Sequence, residues 1–228
     1  MNNNLIKRII TSIILTFIVC LSLYYSSISW KIFIILISFI CLYEFYNLIK
    51  RIILNKIFIP FIIILITLYL YFFYYLLVKI KIEYGEEAIL ILLTTCIFSD
   101  IGGYIVGKLI GGRKLISISP NKTISGAFGS VIFSLIGTTF FIIFIKKINM
   151  NTIQIEFSFV FYLWILLMSI FCQIGDIFVS YLKRKANVKD SGNILPGHGG
   201  ILDRVDGIIF ALPLGVFTYY VLMYSPSL

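Results

Sequence analysis

Asp176, Asp203 and Asp206 are the residues whose type and spacing suit a hard cation, and basic side chains follow or flank them. Asp203 and Asp206 sit on either side of Arg204 in Leu-Asp-Arg-Val-Asp. Three residues apart on a helix, two carboxylates share one face and can share a cation. Asp176 ends Cys-Gln-Ile-Gly-Asp, and Ser180, Lys183 and Arg184 follow it at offsets of four, seven and eight. One helical face then offers an acid, a hydroxyl and two cations, an order that suits a metal ion followed by phosphate oxygens. Two plainer readings stand beside this one. Asp203 and Asp206 could pair with Arg204 and Lys183 at a membrane interface, and the Lys-Arg pair could be a snorkelling helix end.

The stretch 180–206 gathers five basic residues, three aspartates, the only histidine and four glycines into 27 positions between two apolar runs. Within it, Pro196-Gly197-His198-Gly199-Gly200 must form a tight non-helical turn whose amides could line a phosphate or ribose. His198 reads equally as a structural hydrogen-bond partner or a substrate contact, and one histidine cannot make a zinc site. A second polar loop holds Ser119-Pro120-Asn121-Lys122-Thr123 before Gly126. Lys122 and Thr123 offer charge and hydroxyl to a phosphate, although no Gly-x-x-x-x-Gly-Lys pattern leads into them. Asp100 precedes Gly102, Gly103 and Gly107, small residues that permit close helix approach or the opening of a lateral lipid groove. Glu44, about two turns from a helix end, reads as a structural pair or a site-lining acid.

Membrane-spanning helices must position these groups. The chain is 60% hydrophobic and 13% charged with mean hydropathy +1.04, which excludes an ordinary soluble domain. Five runs lack any charge: 9–30, 57–78, 126–145, 157–175 and 207–224. Two more, 32–49 and 88–107, are interrupted only by Glu44 and Asp100. The expectation is an all-α polytopic integral membrane protein of about seven transmembrane helices. The alternating ten-residue pattern of a transmembrane barrel is absent. Residues 1–86 are expected to form about three N-terminal spans, and 87–228 a catalytic region with loops at 108–125 and 181–204. The run after Lys7 and Arg8 is long enough to span and shows no small-residue cleavage site, so it reads as a span. Cys20, Cys41, Cys96 and Cys172 have neither metal nor redox spacing and read as inert buried thiols.

With seven spans, 14 lysines and arginines fall on the N-terminal side of the membrane and five on the other. The positive-inside bias places the N-terminus and both polar loops in the cytoplasm. The net charge of +9 follows from this asymmetry and attracts anionic lipid, not nucleic acid. A chain of this kind could also be an ion-coupled transporter relaying protons through Glu44, Asp100 and Asp176, though no inverted repeat accompanies them.

The C-terminal pattern resembles the phosphatidate cytidylyltransferase (CDP-diacylglycerol synthase) family. Ser180, Lys183, Arg184, Lys189, Asp190, Ser191, Pro196, His198, Gly199, Gly200, Asp203, Arg204 and Asp206 match it at 13 specified positions in 27. Gly175-Asp176, Ser119 to Thr123, Ser99 to Gly102 and Glu44 also have counterparts in the family. The resemblance implies transfer of the cytidylyl group of CTP to phosphatidic acid, giving CDP-diacylglycerol and pyrophosphate, at the cytoplasmic face of the inner (plasma) membrane. It implies a Mg2+ centre on Asp176, Asp203 and Asp206, with a second cation compatible. Asp176, Lys183, Arg184, Asp203 and Asp206 would be catalytic. Ser119, Lys122, Thr123, Ser180, His198, Gly199, Gly200 and Arg204 would bind substrate. The same resemblance favours a homodimer. A related cytidylyltransferase or CTP-dependent kinase acting on another lipid or polyprenol is the neighbouring reading.

Overall fold

The computed structural model describes residues 3–116, 119, 122–148, 157–197 and 199–224, and is all-α. Its helices are α1 (Asn3–Tyr25), α2 (Ser27–Ile52), α3 (Phe58–Ile110), α4 (Ile124–Ile148), α5 (Phe159–Lys185) and α6 (Leu202–Tyr224). Four of them, α2 to α5, carry windows long and apolar enough to cross a membrane, while the apolar part of α1 spans Ile10–Tyr25. The chain divides into two compact units, Met1–Glu86 with Tyr181–Val205, and Glu87–Ser180 with Asp206–Leu228.

In the first unit, the expected run 9–30 is cut at Ser26 instead of continuing to Lys31. Ser26 is extended, and its side chain accepts from the Ser29 amide while the Ser29 hydroxyl accepts from the Ser26 amide, each at 3.0 Å. This capping box satisfies two amides that an uninterrupted apolar count cannot register. Lys81, buried among the helices, donates to the Leu23 and Ser26 carbonyls at 2.5 and 3.3 Å, closing the same turn from α3. The last turn of α2 carries Lys50 and Arg51, where positive charge complements the carbonyl end of the helix.

Two expected spans, 57–78 and 88–107, both lie on the 53-residue α3. Its backbone leaves the helical region at Gly85 (φ 80, ψ −176), and a side chain there would meet nothing within 4 Å. The glycine is needed for its conformation rather than for space.

In the second unit, α3 and α4 approach through small residues. A Cβ at Gly102 would lie 2.4 Å from the Gly129 carbonyl, and one at Gly103 would lie 2.5 Å from the Ser130 hydroxyl. A Cβ at Gly107 would lie 3.0 Å from Thr123 Oγ1. These glycines therefore face α4, which is the close helix approach expected of 102, 103 and 107 and not the alternative lateral groove. Helices in lipid gain little from apolar burial, so close backbone contact and interhelical hydrogen bonds hold them. Ser99 and Ser169 are 2.8 Å apart, and Thr138 donates to Thr95 at 3.1 Å.

α5 buries Phe161, Trp164, Ile165, Met168, Ser169, Cys172, Gly175 and Val179, a stripe of helical period. α6 runs antiparallel along it. Trp164 Nε1 donates to the Gly215 carbonyl at 2.8 Å, and a Cβ at Gly175 would lie 2.5 Å from the Asp206 carbonyl. Of the four cysteines, Cys41, Cys96 and Cys172 are buried as expected, but Cys20 on α1 is exposed.

Gly102→Ala should lower the thermal midpoint of the purified protein. Overpacking of this kind costs about 1–3 kcal/mol. An unchanged midpoint would show that α3 and α4 separate without penalty.

Candidate active site

In the second unit, α5 ends a chain of small-residue contacts that sets Asp176 beside α6. Gly175 abuts the backbone of Asp206 and Gly207, so Asp176 and Asp206 project from neighbouring turns of two helices. Asp206 Oδ1 accepts from the Gly207 amide at 2.9 Å. Asp176 Oδ2 lies 2.5 Å from Lys122 Nζ, and its Oδ1 accepts from Ser180 at a longer 3.4 Å. Lys122 also donates to the Gln173 carbonyl at 3.4 Å. The upstream loop thus delivers its lysine to the α5 acid across a sequence separation of more than 50 residues.

That loop is a turn held at its base. Gly111 and Gly112 have positive φ, the Leu115 amide donates to the Lys122 carbonyl at 2.8 Å, and the Ile124 amide donates to the Arg113 carbonyl at 3.0 Å. Ser119 receives the Lys122 amide at its carbonyl, at 3.1 Å. Thr123, read as a phosphate contact, caps α4: its hydroxyl accepts from the Gly126 amide at 3.1 Å. Orphan amides at a helix start attract a threonine oxygen as readily as a phosphate. Pro120, Asn121 and His198 lie outside the described residues. Asp100 is exposed and accepts from the Cys172 thiol at 3.8 Å.

In the first unit, the glycine-rich loop closes onto two carboxylates. Asp203 Oδ1 receives Lys183 Nζ at 2.6 Å. Asp203 Oδ2 accepts from the amides of Ser191 and Gly200 at 2.8 and 3.0 Å, and from the Ser191 hydroxyl at 3.0 Å. Three donors converge on Oδ2, while Oδ1, with about two acceptor positions of its own, meets Lys183 alone. Glu44, 1% exposed, accepts from the Ile201 amide at 3.0 Å, the Leu202 amide at 2.9 Å and the Ser191 hydroxyl at 2.6 Å. Its structural-pair reading is the one the geometry supports. A Cβ at Gly200 would lie 2.2 Å from Glu44 Oε2, which excludes any side chain there. The loop amides at 191 and 200–202 therefore point at the protein's own acids. Gly197 and Gly199 have positive φ, and the Leu195 amide donates to the Gly199 carbonyl at 2.9 Å, giving the tight turn expected of Pro-Gly-x-Gly-Gly. Arg184 and Arg204 are exposed.

Burial alone would push the Asp203 carboxyl up. The Lys183 hydrogen bond, the Gly200 and Ser191 amides and the Lys183 charge outweigh it and hold the carboxyl below its ordinary value of 3.8.

The residues that meet in these two clusters are those of the 180–206 pattern and the Lys122 turn. A model of the cytidylyltransferase family matches residues 56–224, well over half of the chain. The chain belongs to the cytidylyltransferase family. It is 44% identical over 140 residues to a phosphatidate cytidylyltransferase of Helicobacter pylori, covering 60% of this chain and 49% of the relative. To the phosphatidate cytidylyltransferase of Bacillus subtilis it is 42% identical over 142 residues, covering 61% and 49%. To that of Staphylococcus haemolyticus it is 48% identical over 122 residues, covering 51% and 42%. The matches span about half the length of these curated relatives.

Sequence reasoning missed how the cytidylyltransferase loop is held. Glu44 was visible as a lone acid in an apolar run, but its partners lie 147 to 158 residues away. Among the described residues, no three carboxylate, histidine or cysteine side chains gather closely enough to hold one metal ion. A hard cation of the Mg2+ type needs only one or two carboxylates when substrate phosphates supply further oxygens. The donor chemistry of Asp176 and Asp206 fits that requirement.

Asp203 stabilises the fold through a depressed carboxyl, so its contribution is complete above the ordinary value of 3.8 and declines as pH falls through the lower folded value. Asp203→Asn should therefore melt below the unsubstituted protein at pH 6. The gap should narrow below about pH 4, where the unsubstituted carboxyl also takes up its proton. A gap independent of pH would remove the charge from this account.

Proposed function

We propose that the protein transfers the cytidylyl group of CTP to phosphatidic acid, giving CDP-diacylglycerol and pyrophosphate. The observation that carries this reading is Lys122 seated on Asp176 at 2.5 Å, an acid and a cation brought together from distant segments where two polyanions would have to be neutralised. The family membership and the names of the relatives support the same chemistry.

In the reaction a phosphatidate oxygen forms a bond to the α-phosphorus of CTP. The bond from that phosphorus to the bridging oxygen breaks, and pyrophosphate leaves with its electron pair. No covalent nucleophile is required of the protein. Lys122, Lys183, Arg184 and Arg204 would offset the charge of the phosphates, the dominant need when two anions react. Asp176 and Asp206 would hold Mg2+, which when bound supplies charge neutralisation at the phosphate oxygens. Asp203 would fix Lys183 and the glycine loop and is the third acid proposed for the metal, its Oδ1 meeting Lys183 alone. Ser180 would orient Asp176. Ser119, Thr123, His198, Gly199 and Gly200 would shape the surroundings of the substrate.

A multi-pass arrangement in the inner (plasma) membrane fits this chemistry, since acyl chains must stay in lipid while CTP arrives from water. The excess of lysine and arginine on one side supports a cytoplasmic N-terminus and a site facing the cytoplasm. The break at Gly85 divides α3 into two stretches, and seven transmembrane helices belong to this proposal. The homodimer rests on the family resemblance.

The purified protein in lipid should convert CTP and phosphatidic acid to CDP-diacylglycerol, and chelation of divalent metal should stop it. Asp176→Asn should insert and purify normally yet lose at least about a hundredfold in turnover, the scale of losing one preorganised charge-stabilising group. Lys122→Ala should raise the KM of a phosphate-bearing substrate. Near-normal turnover by Asp176→Asn would reduce that acid to a helix-packing role.

A further inference from the structure

We propose that Glu44 is a positioning residue for Lys183, the proposed phosphate-binding lysine in the last turn of α5, acting through Ser191 and Asp203. This inference rests on the proposed nucleotidyl transfer for its kinetic consequence, but not for its structural content.

Glu44 sits in the middle of an apolar helix and is 1% exposed, yet it is fully engaged. Oε1 accepts from the Ile201 amide, and Oε2 accepts from the Leu202 amide and the Ser191 hydroxyl. Leu202 is the first residue of α6, so the carboxylate caps that helix from another element, where negative charge is favoured by the exposed amides. The Ser191 hydroxyl lies 2.6 Å from Glu44 and 3.0 Å from Asp203, and it has a single proton to share between them. Asp203 in turn holds Lys183 at 2.6 Å. A continuous line of hydrogen bonds thus runs from the interior of α2 to the ammonium group of Lys183. Gly192 and Gly200 are tied to the same point, since a Cβ at either would come within 2.6 Å of the Glu44 carboxylate. Packing of an apolar residue at position 44 would take the acceptor from two amides and leave the Ser191 hydroxyl with Asp203 alone.

Glu44→Gln is the informative change because it keeps the shape and turns one acceptor into a donor. Whichever oxygen becomes the amide nitrogen, it then faces an N–H. Amide hydrogen exchange should accelerate at Ser191 and across 200–202, by about tenfold, the scale of one lost buried hydrogen bond. The KM of at least one phosphate-bearing substrate, CTP or phosphatidate, should rise about tenfold, with kcat falling less than about threefold. Ser191→Ala removes the shared hydroxyl while leaving the backbone bonds, and should move both readouts in the same direction by less. Glu83→Gln, at an exposed acid paired with Lys79 at 3.7 Å, serves as the control and should move neither.

Faster exchange spread evenly over the helices, or loss of kcat with KM unchanged, would overturn the inference by making Glu44 a general stability residue. Exchange at 191 and 200–202 unaffected by either variant would overturn it outright. If the unsubstituted protein turned over no CTP, the proposed function would fall. The loop-holding role of Glu44 would then be decided by exchange alone, local acceleration supporting it and its absence removing it.

Discussion

A carboxylate withdrawn from water must be surrounded by donors, and the polar architecture of this chain follows from how three acids meet that demand. Glu44 takes two backbone amides and a hydroxyl. Asp203 takes two amides, a hydroxyl and an ammonium. Asp176 takes one ammonium at short range and one hydroxyl at long range. In each case a main donor comes from a different element, so satisfying the acid also fixes a loop or a helix start. Leaving such a group unpaired in an apolar setting would be far more destabilising than the bond itself is stabilising.

The three acids also form a series in exposure. Glu44 is closed off, the Asp203 side chain is 7% exposed, and that of Asp176 is 34% exposed. The more donors a buried carboxylate takes from its own chain, the more firmly it fixes the segments that supply them. Asp176 has acceptor positions left and solvent beside it.

Sequence alone made the helices legible, because apolar length reports a span directly. It did not make their joints legible. The cut at Ser26 depends on two serines trading hydrogen bonds, and the break at Gly85 depends on a backbone angle, neither of which alters hydropathy. Helical offsets correctly placed Asp176 with Ser180, but they cannot say which distant segment faces a given side of a helix. For that reason Lys122 was recognisable as phosphate chemistry while its partner was not. Thr123 was read as a phosphate contact because a helix start attracts an oxygen from either source, and its own hydroxyl caps α4 by accepting from the Gly126 amide. Gly102, Gly103 and Gly107 carried a real signal of close approach. The approaching body is α4 rather than lipid.

Lys81 carries a consequence for how the chain is made. Its ammonium group ends on the carbonyls of Leu23 and Ser26, the latter 55 residues earlier in the sequence. At synthesis rates of roughly 5–20 residues per second, the turn between α1 and α2 emerges about 3–11 seconds before the lysine that closes it exists. During that interval the Ser26 carbonyl already has the Trp30 amide and the Ser29 hydroxyl as donors, and Lys81 adds a third when it arrives. Biogenesis of the amino-terminal unit therefore has a built-in order: hairpin, then latch.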